Sequence, residues 1–401
     1  MLLKYLTIII LFLLPSACLA QLTLTGRIIN IVDKKPVAGA SVFLNNATIG
    51  NSSNNDGSFI LTNIRNGHYE LVVSIVGYEP YRQTMLINND INLGNIEVIP
   101  RSIGLKEVKI RPNFNREKYY QIFKQKFLGT SDNAKQCKIL NSDVLDIDYD
   151  SKTKKLTVNS DEFLEIENKA LGYKLKYLLT SFVSDGKDMI LTYQGSGVFE
   201  NLPGSTSQQR KWQKNRVKTF EGSMMHFLRS LITGQMDTTI FKVYPLIRKS
   251  IDNPVSDSIV QSKIKFFRVQ TGNSASWNDS LAYWTRISQR PKVVQKLIDS
   301  PLLIPDILRL TDKKGIYALY NPNCLYIIYP TKRVHEDYVV YRPEGIVKDY
   351  PVTIITFLSP NIFFDGNGGM LNAESAFTEG YWGNKRIGDT LPIDYQPEVA
   401  K

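Results

Sequence analysis

The residues with the strongest claim to chemistry are His226 and Arg229. They stand three apart in an apolar stretch that reads as a helix, so they share a face and can look into one cleft. A packed or surface histidine is the simpler account of the pair. Just upstream, Gln209–Lys218 interleaves Trp212 with Arg210, Lys211, Lys214, Arg216 and Lys218. An aromatic ring among cations can grip an anionic sugar by stacking and charge. The simpler account here is a solvated loop leading into the helix.

Other combinations fail on spacing. A catalytic zinc needs three protein ligands and an open position. The three histidines, His68, His226 and His335, are followed three residues on by Leu71, Arg229 and Tyr338, so no His-x-x-Glu pair exists. Neither a metal nor any other cofactor is expected. Asp365-Gly366-Asn367-Gly368 has the start of a calcium loop, but the ligand series is incomplete and Glu374 comes too early to close it; a β-turn is expected. Glu165/Glu167 and Asp146/Asp148 share one strand face each. A glycosidase needs carboxyls on opposite sides of a sugar, about 5–9.5 Å apart, which spacing alone cannot supply. Gly195-Ser196-Gly197 lacks the second glycine of a nucleophile elbow. The triplets Asp237-Thr238-Thr239, Asp257-Ser258-Ile259, Asp279-Ser280-Leu281 and Asp389-Thr390-Leu391 have the form of a periplasmic O-glycosylation acceptor, which makes Thr238, Ser258, Ser280 and Thr390 candidate acceptors.

The elements around these residues are mostly strands. Asn113–Gly129 reads as a helix with Tyr119, Ile122, Phe123 and Phe127 on one face, and Val217–Thr233 as a second with an apolar stripe ending at Gly234. Strand patterns occur at 144–149, 155–159, 163–167, 173–183, 189–193, 264–269, 281–287, 315–320, 324–329, 352–357 and 362–364, with short helices at 291–299 and 304–310. The sum is a β-rich α+β domain over 111–401, an antiparallel sheet with a few helices.

Residues 21–110 differ in texture. Leu22–Asn30, Ala40–Leu44 and Gly67–Val76 alternate as strands do, and Asn51–Gly57 is a polar turn cluster closing on Asp56-Gly57. Seven short strands with turns every 8–12 residues define a β-sandwich. The pattern Gly26-Arg27, Pro36-Val37-Ala38-Gly39-Ala40-Ser41-Val42, Thr48-Ile49-Gly50, Asp56-Gly57-Ser58-Phe59, Gly67-His68-Tyr69 and Val76-Gly77-Tyr78 resembles the carboxypeptidase regulatory-like domain. The resemblance covers residues 22–110 and implies a seven-stranded prealbumin-like sandwich without catalytic residues. The same domain opens many TonB-dependent receptors, and Leu105-Lys106-Glu107-Val108 resembles the segment leading to their plug. Further on, Phe127-Leu128-Gly129, Leu171-Gly172-Tyr173, Gly222-Ser223, His226-Phe227-Leu228-Arg229, Gly380-Tyr381-Trp382 and Asp389-Thr390-Leu391-Pro392 resemble an uncharacterised C-terminal region that accompanies this sandwich in exported Gram-negative proteins.

Lys4, the apolar run Leu6–Leu14 and Cys18-Leu19-Ala20 form an export signal over residues 1–20, with cleavage expected before Gln21. The run falls short of the roughly 20 apolar residues of a spanning helix, and no later stretch reaches that length. Lipidation of Cys18 is the alternative. The formal charge of +11 could favour anionic partners, and scattered lysines and arginines that only aid solubility are the simpler account; nucleic acid is a poor partner for an exported chain. After the signal, Cys137 and Cys324 remain. An oxidising compartment permits one disulfide between them, worth up to about 5 kcal/mol by loop closure; two buried thiols are the other reading.

The expectation is therefore a mainly β, non-catalytic envelope protein, periplasmic or at the outer membrane. Its role would be binding or scaffolding, with an envelope glycan or an outer-membrane protein as partner. The alternatives are a polysaccharide or peptidoglycan hydrolase working through carboxylates of the second domain, and an accessory to a TonB-dependent transporter.

Overall fold

The computed structural model describes residues 21–101, 115–186, 190–234, 240–251, 255–270, 275–289, 293–334 and 338–397. The proposed export signal and the boundary expected between residues 110 and 111 lie outside these residues.

Seven strands make the N-terminal sandwich: β1 (Leu22–Asn30), β2 (Ser41–Leu44), β3 (Gly50–Ser52), β4 (Ser58–Ile64), β5 (Gly67–Ser74), β6 (Tyr81–Ile87) and β7 (Ile91–Val98). One sheet runs β4-β1-β7 and the other β3-β2-β5-β6. All pairings are antiparallel except β1 with β7. Alternation drives the assembly: Leu24, Ile28, Phe59, Leu71, Val73 and Ile96 point inward and are fully or almost fully buried. At the Asp56-Gly57 turn the backbone of Gly57 is left-handed (φ +79°), and a Cβ there would lie 2.4 Å from the Ile28 carbonyl oxygen.

The next unit is a six-stranded antiparallel sheet. It comprises β8 (Cys137–Ile139), β9 (Leu145–Asp150), β10 (Lys155–Ser160), β11 (Leu164–Asn168), β12 (Tyr173–Asp185) and β13 (Leu191–Asn201). The order is β8-β11-β12-β10-β9, with β13 also paired to β12. Helix α1 (Arg116–Leu128) lays Phe123 and Phe127 into the core of this sheet, the two rings stacked at 4.9 Å and both edge-on to Phe182.

Helices α2 (Thr206–Phe220) and α3 (Met224–Ile232) lead to β14 (Lys242–Ser250), and then to a hairpin of α4 (Asp257–Gln270) and α5 (Ala275–Ser288). β15 (Val293–Leu297), α6 (Ile304–Ile307), β16 (Leu308–Leu310), β17 (Ile316–Leu319), β18 (Cys324–Ile328), β19 (Val352–Phe357), β20 (Ile362–Asp365), β21 (Ala376–Gly380) and α7 (Tyr381–Asn384) complete the chain. They form a five-stranded sheet, β15-β14-β18-β19-β21, and a three-stranded one, β16-β17-β20. Among the described residues no helix is long and apolar enough to cross a membrane.

Mainly β architecture with an N-terminal seven-stranded sandwich is what the sequence led us to expect. Several local expectations are corrected. The helix read over 217–233 is two helices, because Gly222 takes φ +73° against the Tyr329 ring and the Ser223 hydroxyl caps a new start at the His226 N–H. The basic run at 209–218 is helical, begun by a capping box between Ser205 and Gln208. Residues 264–269 and 281–287 are helical, within α4 and α5, where Val260 and Ile264 recur at helical spacing. The segment 291–299 holds strand β15, since Val293 and Val294 are β-branched and the strand pairs with β14.

Candidate functional site

The basic run, a helix where a solvated loop was expected, does not build the candidate sugar platform either. Trp212 is 8% exposed; its indole N–H donates to the Lys169 carbonyl at 2.9 Å, and its ring fills the space beside Gly172 and Gly204. No face of it is open to a sugar. Arg216 donates to the carbonyls of Leu171 and Gly172 and lies over the Tyr173 ring at 3.8 Å. Together Trp212 and Arg216 fasten α2 to the 169–172 turn. Arg210 and Lys211 are exposed on its outer side.

His226 and Arg229 also work inward, and in different places. The His226 ring sits among Phe220, Phe241 and Tyr329, and Nδ1 accepts the Gly222 N–H at 3.1 Å. Burial, with the nearby Arg229 charge, pulls its pKa down to about 4, so the imidazole is neutral at pH 7. Arg229 donates to the carbonyls of Asn367 (2.7 Å), Tyr395 (2.8 Å) and Ile393 (2.9 Å), and so holds the C-terminal segment.

The proposed Cys137–Cys324 disulfide is not formed. Both thiols are free and buried, one on β8 and the other on β18, strands of different sheets with separate cores. Desolvation pushes the Cys137 thiol up to about 12. Glu165 and Glu167 are ion-paired to Lys174 (2.9 Å) and Lys169 (3.3 Å) on a sheet face. His68 bonds the Lys314 carbonyl through Nε2 at 2.8 Å, and His335 lies outside the described residues. Among the described residues no group of three or more His, Cys, Asp or Glu side chains could hold a metal ion. Of the glycosylation candidates, Ser258 is exposed on α4, Ser280 is half-buried on α5 and Thr238 lies outside the described residues.

The fourth candidate, Thr390, leads to the feature that spacing did not reveal. A cleft of about 460 Å³ opens between the 131–133 turn, the α2–α3 junction, Lys332 and the segment 381–391. Tyr381 and Trp382, both buried, are part of its lining, and the Trp382 indole N–H donates to the Gly222 carbonyl at 2.7 Å. Lys332 and Lys385 lie over the Tyr381 ring at 5.8 and 4.5 Å. Asn133 donates from one amide nitrogen to Thr219 and to Asp389 Oδ1, both at 2.9 Å. Asp389 Oδ2 is enclosed, 3.9 Å from Lys385 Nζ, and accepts no hydrogen bond from any described residue. The Asp132 carboxyl is held below the usual range, chiefly by its bond to Lys135. That is the opposite of what a general acid requires. The cleft thus offers lysines, amides, hydroxyls and an underused carboxylate. His226, the neighbouring histidine, does not line it.

Four segments far apart in sequence meet here, so no single run could announce the site. The available signal was distributed: Lys218 in the basic run, Ser223 after Gly222, Tyr381-Trp382 after Gly380, and Asp389-Thr390 in the last triplet.

Residues 24–110 match the family model of the CarboxypepD_reg-like domain. The N-terminal sandwich is therefore a carboxypeptidase regulatory-like domain. No curated protein matches the chain. Solved structures with similarity include a type II cohesin–X-dockerin complex from Acetivibrio cellulolyticus (16% identity, 20% of this chain and 58% of that one, TM-score 0.19). A group B streptococcus pilus 2b backbone protein is also similar (18% identity, 20% and 40%, TM-score 0.17). So is a putative membrane-associated protein of unknown function from Bacteroides fragilis (12% identity, 90% and 94%, TM-score 0.16). The chain spans 58% and 40% of the first two.

Proposed function

We propose that this is an exported, non-catalytic envelope protein whose carboxypeptidase regulatory-like sandwich is a scaffold and whose cleft binds an envelope glycan. One observation carries the reading: Asp389 Oδ2 is buried in the cleft wall without a donor, beside Asn133, Thr219 and Lys385. Buried carboxylate oxygens are normally hydrogen-bonded. A ligand rich in hydroxyls would supply the missing donor, and Lys332 and Lys385 would donate to its acidic groups. Tyr381 and Trp382 are 4% and 7% exposed, so they hold the cleft wall in place and leave recognition to the polar groups around it.

Binding of purified full-length protein to lipopolysaccharide and to soluble peptidoglycan fragments, followed by calorimetry, tests this. We expect saturable binding to one of them, weakened at least about tenfold in Asp389→Asn and in the Lys332→Ala/Lys385→Ala pair, in line with losing charged hydrogen bonds. Absence of binding to both, or release of new reducing ends on incubation, would sink the proposal. Mass spectrometry of protein from the native host tests export: the expected N-terminus is Gln21.

A further inference from the structure

Helices α4 and α5 pack against each other as a hairpin. The inner arc of α4, Val260 and Ile264, is buried with Ile287 and supported by Leu281 and Trp284. A helix with one arc so used is normally polar on the rest of its surface. Here Ile259, Phe266 and Val269 are 50%, 51% and 77% exposed. At about 3.6 residues per turn they fall within roughly a quarter of the helix circumference. Lys265 borders this arc on one side and Lys263 on the other, and both are exposed; Arg268 lies beyond Lys265. At the C-terminal end of α4, Phe266, Phe267 and Trp277 form a cluster with ring centres 5.2–5.8 Å apart.

We propose that this outer face of α4 docks the protein onto an anionic phospholipid surface. An apolar arc flanked by lysines is the arrangement of a helix lying in a membrane interface. Its apolar side chains enter the acyl boundary while lysine stems follow them and keep their ammonium groups among headgroup phosphates. Tryptophan favours the same boundary. Charge chooses this occupant over a second copy of the chain. Pairing the face with itself sets Lys263, Lys265 and Arg268 against their equivalents, whereas anionic headgroups complement them. Residues 257–288 carry four cations (Lys263, Lys265, Arg268, Arg286) against Asp257 and Asp279. None of these residues lines the cleft, so the inference stands apart from the glycan reading.

Co-sedimentation of the full chain with phosphatidylglycerol-containing vesicles, against neutral phosphatidylcholine vesicles, tests it. Expected is sedimentation with anionic vesicles only, reduced by salt. The Phe266→Ser/Val269→Ser pair should weaken it at least about tenfold, and Lys263→Glu/Lys265→Glu should do the same with unchanged circular dichroism. No sedimentation of the parent chain, or equal sedimentation of the apolar variant, overturns the proposal. A concentration-dependent dimer that the apolar variant abolishes would assign the face to a second copy and overturn it as well.

Discussion

Thr48 and Asp394, 346 positions apart, are joined by two hydrogen bonds: the Thr48 N–H donates to Oδ1 at 3.0 Å and its hydroxyl to Oδ2. One residue earlier in the tail, the Ile393 N–H donates to the Asn46 carbonyl at 2.7 Å, and the Ile393 side chain packs on the sandwich core. The tail is thus a strap across the sandwich. Thr48→Val keeps the shape and removes one donor to a carboxylate, so we expect a loss of about 1.5 kcal/mol. In a double-mutant cycle with Asp394→Ala the two effects should fall short of adding by about 1 kcal/mol. Additive denaturation midpoints would show that the bond contributes nothing.

Arg229 fastens the other side of the strap. Its guanidinium reaches three carbonyls that no single ammonium can reach together. Arg229→Ala leaves all three without this donor and should cost about 3 kcal/mol. Arg229→Lys should recover less than half of that in urea melts. A lysine variant as stable as the parent would mean that charge alone matters here.

His226 makes the fold sensitive to acid. Its folded pKa of about 4 lies below the ordinary 6.5, so the neutral form is favoured by folding. This stability is fully present above pH 6.5, and it falls as pH drops from 6.5 towards 4 because the unfolded chain takes up the proton first. After allowance for solvent screening the loss should reach about 2 kcal/mol at pH 4.5. His226→Gln should flatten that part of the pH–stability curve. An unchanged slope would place the acid sensitivity elsewhere.

The sandwich was legible because its information is local. Alternation in Leu22–Asn30 and Gly67–Ser74, and the turn chemistry of Gly57, each occupy a few consecutive residues. Helices α4 and α5 were misread because their buried residues are few: Val260, Ile264 and Ile287 face inward while Phe266 and Val269 do not. Tertiary pairing, not local pattern, decides such segments. His226 and Arg229 do share α3, as their spacing required. Spacing could not tell that one faces an aromatic cage and the other a strap of carbonyls. The cleft was illegible for a related reason: Asn133, Thr219 and Asp389 meet only after three separate segments have packed.

Cys137 should behave as an inert thiol. A thiol raised to about 12 holds almost no thiolate at pH 8. Native protein should therefore resist iodoacetamide at Cys137. After denaturation both Cys137 and Cys324 should alkylate without prior reduction. A mass two units low, restored by reductant, would instead reveal an intramolecular disulfide and a rearranged core.

The last prediction concerns the sandwich alone. The buried residues of its own core, with Leu24, Ile28, Phe59 and Leu71 drawn from both sheets, all come from residues 24–98, and Ile393 of the tail packs against them. Its outer side is not free. Phe43 and Val72 are covered by Val198 and Phe163, the Asn46 N–H donates to the Gly197 carbonyl at 2.6 Å, and the Phe199 N–H donates to the Ala47 carbonyl at 2.9 Å. A fragment of residues 21–101 should fold cooperatively, because the inner faces supply each other's burial. It should melt below the full chain, because it loses the strap and the cover over Phe43. It should also self-associate through that newly exposed patch, and Phe43→Ser should restore a monomer in sedimentation analysis while leaving the β spectrum intact. A fragment without a cooperative melt would mean that β13 and the tail complete the sandwich core, and that the chain does not divide near residue 110.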